Sequence, residues 1–83
     1  MHHHRKIRMY LINQRQKLGY TQYNVALLMG VCHQHYQKIE KGERGNQMSF
    51  LIGCKLAEVL EVELDEFYQA ELEYQLERDR EWW

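Results

Sequence analysis

His33, Gln34, Gln37 and Lys38 bring four hydrogen-bonding side chains together within less than two helical turns, with Cys32 and His35 among them. Two chemistries could use such a set. Cysteine and imidazole are metal ligands, but adjacent positions of one helix cannot all converge on a single ion, and structural zinc requires four ligands at loop-type spacing. No metal is expected. The alternative is recognition by hydrogen bonding, since an amide pairs a donor with an acceptor, an ammonium donates, and an imidazole can do either. Nothing in the chain suggests catalysis: there is no glycine-rich phosphate loop, no paired carboxylates in a plausible pocket and no nucleophile beside a base. No enzyme activity and no cofactor are expected. Cys54 reads as a small core residue.

The elements that must position these residues follow from spacing. Ile7, Leu11 and Leu18 share one face of a first helix spanning 5–18, with Arg5, Lys6, Arg8 and Lys17 mostly off it, and Gly19 is a stop signal. Thr21 can cap a second helix over 22–29, whose apolar side is Val25, Ala26, Leu28 and Met29. Gly30 permits a left-handed turn, and Val31 returns to the core. A third helix fits 33–41, with Tyr36 and Ile39 inward and His33, Gln34, Gln37 and Lys38 outward. After Gly42 and a polar loop, Ser49 can cap a fourth helix to Leu60, packed by Phe50, Cys54, Ala57 and Leu60 or their neighbours. Gly53 inside it implies close approach of a neighbour. A fifth helix starts near Leu64, keeps a stripe of Leu64, Phe67 or Tyr68, Leu72 and Leu76, and runs to about Arg80.

The chain has 83 residues, 45% apolar and 28% charged, and no proline, which suits a small, largely helical globule. The longest nearly unbroken apolar run, 25–32, is too short to span a bilayer, so no membrane association is expected. Without a secretory signal or a disulfide framework, the expected setting is cytoplasmic with reduced thiols. The net charge of −1 conceals an asymmetry. Residues 1–55 carry nine Lys/Arg against Glu40 and Glu43, a net +7, whereas 56–83 carry Arg78 and Arg80 against ten acids, a net −8. A basic front with an acidic tail suggests a polyanion-binding module with something different appended.

Short helix, glycine turn, short helix is the helix-turn-helix plan, whose second helix enters the DNA major groove. The string Arg15-Gln-Lys-Leu-Gly-Tyr-Thr21-Gln22-Tyr-Asn-Val25-Ala26-Leu-Leu-Met-Gly30-Val31, then Gln34-His-Tyr-Gln37-Lys38-Ile39-Glu40-Lys41-Gly42, and then Leu56-Ala57 through Phe67, resembles the Cro/cI-type (Xre-like) helix-turn-helix family. The resemblance implies an all-α, five-helix lambda-repressor-like DNA-binding domain with an extended C-terminal helix. Residues 7–68 would form that domain, 1–6 a tag-like or disordered basic N-terminus, and 69–83 an acidic helical extension.

It also implies roles. Arg15 and Glu40 match a structural salt bridge between the first helix and the end of the recognition helix. His33, Gln34, Gln37 and Lys38 match base contacts, and the chemistry suits them, as glutamine pairs bidentately with adenine and lysine donates to guanine O6/N7. Gln22, His35, Lys41, Arg44, Asn46 and Gln47 match phosphate contacts, which set register and salt dependence. Cys32 stands where the family has a capping hydroxyl, and Tyr36 where it has a smaller aliphatic residue. The phenol would therefore hold the helix pair slightly apart or reach the surface. Leu72, Tyr74, Leu76, Trp82 and Trp83 exceed what a core this size needs and form the expected dimer or partner surface. The implied function is a transcriptional regulator, a repressor binding double-stranded DNA as a homodimer. The alternatives are an antitoxin or adaptor whose acidic helix binds a protein partner, and a restriction-modification controller protein.

Overall fold

Five α-helices follow one another: α1 (Met9–Lys17), α2 (Gln22–Met29), α3 (His33–Lys41), α4 (Phe50–Val59) and α5 (Leu64–Arg80). The structure is a computed structural model that describes residues 7–43 and 48–80, the last two by backbone alone, and no strand occurs among them. Helix α2 packs on α3 and α4, α1 on α3, and α5 on α4. One core unites them: Leu11 of α1, Val25, Ala26 and Met29 of α2, Tyr36 and Ile39 of α3, Leu56, Ala57 and the adjoining Leu60 of α4, and Phe67 of α5.

The boundaries have local causes. Thr21 caps α2 reciprocally with Asn24: the Asn24 N–H donates to Thr21 Oγ1 (3.0 Å) and the Thr21 N–H to Asn24 Oδ1 (2.9 Å). Gly30 ends the helix at φ +76°, where its N–H donates to the Leu27 carbonyl and that of Val31 to the Ala26 carbonyl. This paired closure satisfies two orphan carbonyls and turns the chain into α3. Ser49 caps α4 through the Ile52 N–H (3.2 Å). Cys32 starts α3 without any side-chain cap.

Several inward assignments are corrected. Helix α1 begins at Met9 rather than Arg5 among the described residues, and Ile7 is exposed while Arg8 is fully buried. Leu28 is half exposed because α2 crosses its neighbours on the Val25–Ala26–Met29 side. Phe50 is 79% exposed, and Leu56 takes the core position instead. In α5 the inward stripe is Phe67 and Tyr74. Leu64, Tyr68, Leu72 and Leu76, four residues apart, form an uncovered ridge. Tyr74, expected on the partner surface, is only 6% exposed, because the Arg8 guanidinium lies 4.5 Å above its ring. Trp82 and Trp83 lie outside the described residues. Helix α5 runs unbroken through residue 68.

Arg8 explains the continuation. Its Nε and Nη2 donate to the two carboxylate oxygens of Glu71 at 2.9 and 2.8 Å, a bidentate pair that fastens α5 across the start of α1. Tyr10 donates its hydroxyl to the same carboxylate, as does the Gln75 amide at 2.8 Å. Burial alone would raise the Glu71 carboxyl, but these donors outweigh it and hold it below its ordinary value.

Gly53 lies on the α4 side facing Met48 and Phe67. A Cβ there would sit 3.5 Å from the Met48 sulfur and 3.6 Å from the Phe67 ring, ordinary van der Waals distances. The neighbours are close but leave room for a methyl group. Gly53→Ala is therefore expected to raise the unfolding free energy by about 1 kcal/mol through helix propensity. Urea denaturation checks this, and a loss of stability would show that Met48 and Phe67 cannot accommodate the methyl.

Candidate nucleic-acid interface

Helix α3 is strongly two-sided. At about 100° per residue, His33, Gln34, Gln37, Lys38 and Lys41 fall within an arc of about 140°, and Tyr36, Ile39 and Glu40 fall outside it. Their exposure follows: His33, Gln34, Lys38 and Lys41 are exposed, Gln37 is half-buried, and the three inward residues are buried. His35 lies about 60° beyond the polar arc and is half-buried. No carboxylate occupies the outward arc, and Lys38 and Lys41 stand in the last turn, where cations also oppose the helix dipole.

The inward side is built around one charge. Glu40 is 1% exposed, and its carboxylate accepts four hydrogen bonds. Arg15 donates from Nε to Oε2 at 2.6 Å and from Nη2 to Oε1 at 3.3 Å. The Tyr36 hydroxyl donates to Oε2 at 2.6 Å, and the Gln22 amide to Oε1 at 2.7 Å. The remaining guanidinium nitrogen, Nη1, reaches the Tyr20 carbonyl at 3.1 Å. The Tyr36 phenol, expected to wedge the helices or reach the surface, is instead fully buried as a donor to Glu40. Burial and the neighbouring carboxylate both push its hydroxyl well above the ordinary tyrosine value, so it stays protonated and donating.

Gln22 connects this buried cluster to the outer face. One N–H of its amide goes to Glu40, and its Oε1 accepts from Gln37 Nε2 at 3.3 Å. An amide carries two N–H groups, so Gln22 keeps one donor for a further acceptor. Gln37 likewise retains its carbonyl oxygen and one N–H, the pair that bidentate contact with adenine uses. At the open end of α3, His33 meets the Tyr23 ring edge-on at 6.0 Å between centroids. Arg44, Asn46 and Gln47, expected to contact phosphates, lie outside the described residues.

Among the described residues no group of three or more His, Cys, Asp or Glu side chains is arranged to hold a metal ion. No described helix is long and apolar enough to cross a membrane. Arg8 is the residue that sequence reasoning missed. It stands in a basic run with Arg5 and Lys6, placed off the apolar face, and only the distant Glu71 distinguishes it.

Five helices in this order, with a glycine turn between α2 and an outward-facing polar α3, define an all-α helix-turn-helix domain of lambda-repressor-like fold. A helix-turn-helix family model matches residues 11–67, and the chain belongs to that family, the Cro/cI-type or Xre-like helix-turn-helix proteins. No curated protein matches the sequence. The family is one of DNA-binding transcription regulators, generally non-enzymatic.

The buried cluster has a measurable consequence. Arg15→Ala leaves the Glu40 charge in the core without its cation and is expected to cost about 3–5 kcal/mol of stability. Tyr36→Phe removes one hydrogen bond to that charge and is expected to cost about 1.5–3 kcal/mol. Chemical denaturation distinguishes them, and near-equal losses would mean that the cation contributes no more than the phenol.

Proposed function

We propose that this protein is a sequence-specific transcriptional regulator, acting as a repressor that occupies a short operator as a homodimer. The observation that carries the reading is the outer face of α3. His33, Gln34, Gln37 and Lys38 provide donors and acceptors for base edges without a repelling carboxylate, on a helix whose opposite face is locked to the core by Glu40. Gln22, with one amide N–H to spare, and Lys41 serve the phosphates beside it, with His35 on the flank and Arg44, Asn46 and Gln47 assigned to the following loop.

One recognition helix covers only a few base pairs, so twofold pairing of half-sites about 34 Å apart supplies the missing specificity. The ridge Leu64, Tyr68, Leu72 and Leu76 supports a dimer through α5. A row at four-residue intervals interdigitates with the same row of a second copy in the commonest class of helix packing, at about −50°. Trp82 and Trp83 belong to the same end of the chain and join this assignment. Repression follows from occupancy of promoter DNA.

A second reading rests on a specific feature. Glu63, Asp65, Glu66 and Glu73 are exposed on and just before the helix that carries the ridge, and an apolar cleft of about 810 Å³ opens beside it between Met48, Phe50, Leu64, Phe67 and Tyr68. A basic, amphipathic protein partner would match that surface, as an antitoxin or adaptor role requires. Sedimentation of wild type and Leu72→Glu separates the two. The repressor reading expects a wild-type dimer that the substitution turns into a monomer with loss of operator affinity. A wild type that stays monomeric on its operator favours the partner.

Selection of bound sequences from random DNA tests the central claim, with a null result rejecting it. With the selected site in hand, Lys38→Ala is expected to relax preference at the base it reads, at a cost of about 1–3 kcal/mol. Lys41→Ala is expected to weaken all sequences alike and to reduce the salt slope by about 1. Unchanged preference in the Lys38 variant would remove it from the base-reading set.

A further inference from the structure

The C-terminal end of α3 is held by two arginines, and they stand on opposite sides of the family boundary. Arg15, inside the matched segment 11–67, holds the Glu40 side chain. Arg8 lies outside it and holds the backbone instead: its Nη1 donates to the Ile39 carbonyl at 2.6 Å, and its own N–H to the Glu40 carbonyl at 2.7 Å. The rest of the same guanidinium grips Glu71, which lies beyond the other end of the matched segment. Among the described residues Glu71 makes no hydrogen bond to α3, its donors being Arg8, Tyr10 and Gln75. One buried planar group therefore spans from the last turn of α3 to the middle of α5, with Tyr74 beneath it.

We infer that Arg8 is a positioning residue for DNA reading, which makes the setting of the recognition helix depend on α5 through a single guanidinium. The geometry gives the reason. A guanidinium presents its donors in a fixed plane, so orienting it on the Glu71 carboxylate also fixes where Nη1 meets the Ile39 carbonyl. Ile39 immediately follows Lys38 and lies two positions after Gln37, so a shift of that carbonyl carries both outward side chains with it. Lysine could satisfy either acceptor but could not tie both in one plane. The two side chains that accomplish this, Arg8 and Glu71, lie on either side of the matched segment, and the carbonyl they position lies inside it. The tie also makes α5, whose ridge is free to be covered, mechanically continuous with the face that reads DNA.

The inference rests on the DNA-binding reading for its consequence, and the test separates the two. Glu71→Gln keeps the shape of the side chain but removes its charge and one acceptor oxygen, without touching α3. Amide hydrogen exchange, which needs no DNA, is expected to quicken at Ile39–Lys41 more than at Val25–Met29 of α2. Equal quickening in both helices would make Arg8 a general staple and overturn the proposal.

On the DNA selected by wild type, Glu71→Gln and Arg8→Met, each shown folded by circular dichroism, are expected to bind about three- to thirtyfold more weakly, a range typical of coupling mutations. Discrimination against single-base variants should shrink while the salt slope stays unchanged, because no phosphate contact is lost. Wild-type affinity and discrimination in a folded variant would overturn the proposal. If Arg8→Met does not fold, Glu71→Gln carries both measurements. If wild type selects no DNA, the functional reading fails and the exchange comparison still decides the role of Arg8.

Discussion

The carboxylate of Glu40 is the constraint on which the domain depends. An ionised carboxylate has about four acceptor sites, and here all four are used. The donors come from three helices: Arg15 of α1, Gln22 of α2 and Tyr36 of α3 itself. Apolar contacts would let helices slide over one another at little cost. A buried charge does not, because any displacement that breaks one of its bonds leaves it partly unpaired in a low dielectric. The outward face of α3 is thereby set relative to α1 and α2 by an interaction on its hidden side. Gln22 then carries that setting to the surface by bonding Glu40 at one end of its amide and Gln37 at the other.

The two ends of α3 are held unequally. At its start Cys32 offers no capping oxygen, and His33 and Gln34 project into solvent. At its finish the orphan carbonyls are met several times over. The Gly42 N–H donates to Ile39, the Glu43 N–H to Lys38, and Arg8 adds a side-chain donor to Ile39 and a backbone donor to Glu40. The helix is thus anchored by its C-terminal end. Lys38, on its last turn, has the most firmly placed backbone of the outward residues.

Much of this was legible in the sequence, for identifiable reasons. The α2–turn–α3 unit was readable because Thr21, Gly30 and Gly42 each have a local reason to sit where they do, and the expected limits of α2 and α3 match those observed. Helix faces were less legible wherever several apolar residues competed for the core. Phe50 and Leu56 are both credible core residues of α4, and the choice depends on how α2 and α5 cross it. The ridge of α5 was read as core-facing in part because periodicity marks a stripe without saying what covers it. The end of α4 near Leu60 was read from its apolar spacing, but the turn that follows carried no signal: Glu61 adopts a left-handed conformation at φ +59° with no glycine to announce it. Arg8 was illegible for a different reason. Its environment is made by Glu71, Tyr74 and Ile39, none of which is near it in sequence.

That pairing also changes what the charge asymmetry means. Counted along the chain, the first 55 residues carry +7 and the remainder −8. Counted in space, Arg8 and Arg15 are spent inside, one on Glu71 and the other on Glu40, so neither adds to the field outside. The exposed cations among the described residues are Lys17, Lys38, Lys41 and Lys55, with two of the four on α3. The exposed acids Glu58, Glu61, Glu63, Asp65, Glu66, Glu73 and Glu77 all belong to the end of α4, the turn after it and α5. An ion pair therefore crosses between the two halves, and its arginine helps to hold the end of α3. Replacing such buried pairs by apolar residues of similar size is often neutral or stabilising. What an apolar contact cannot supply is a single permitted alignment, and that is what the arginines on Glu40 and Glu71 give α3.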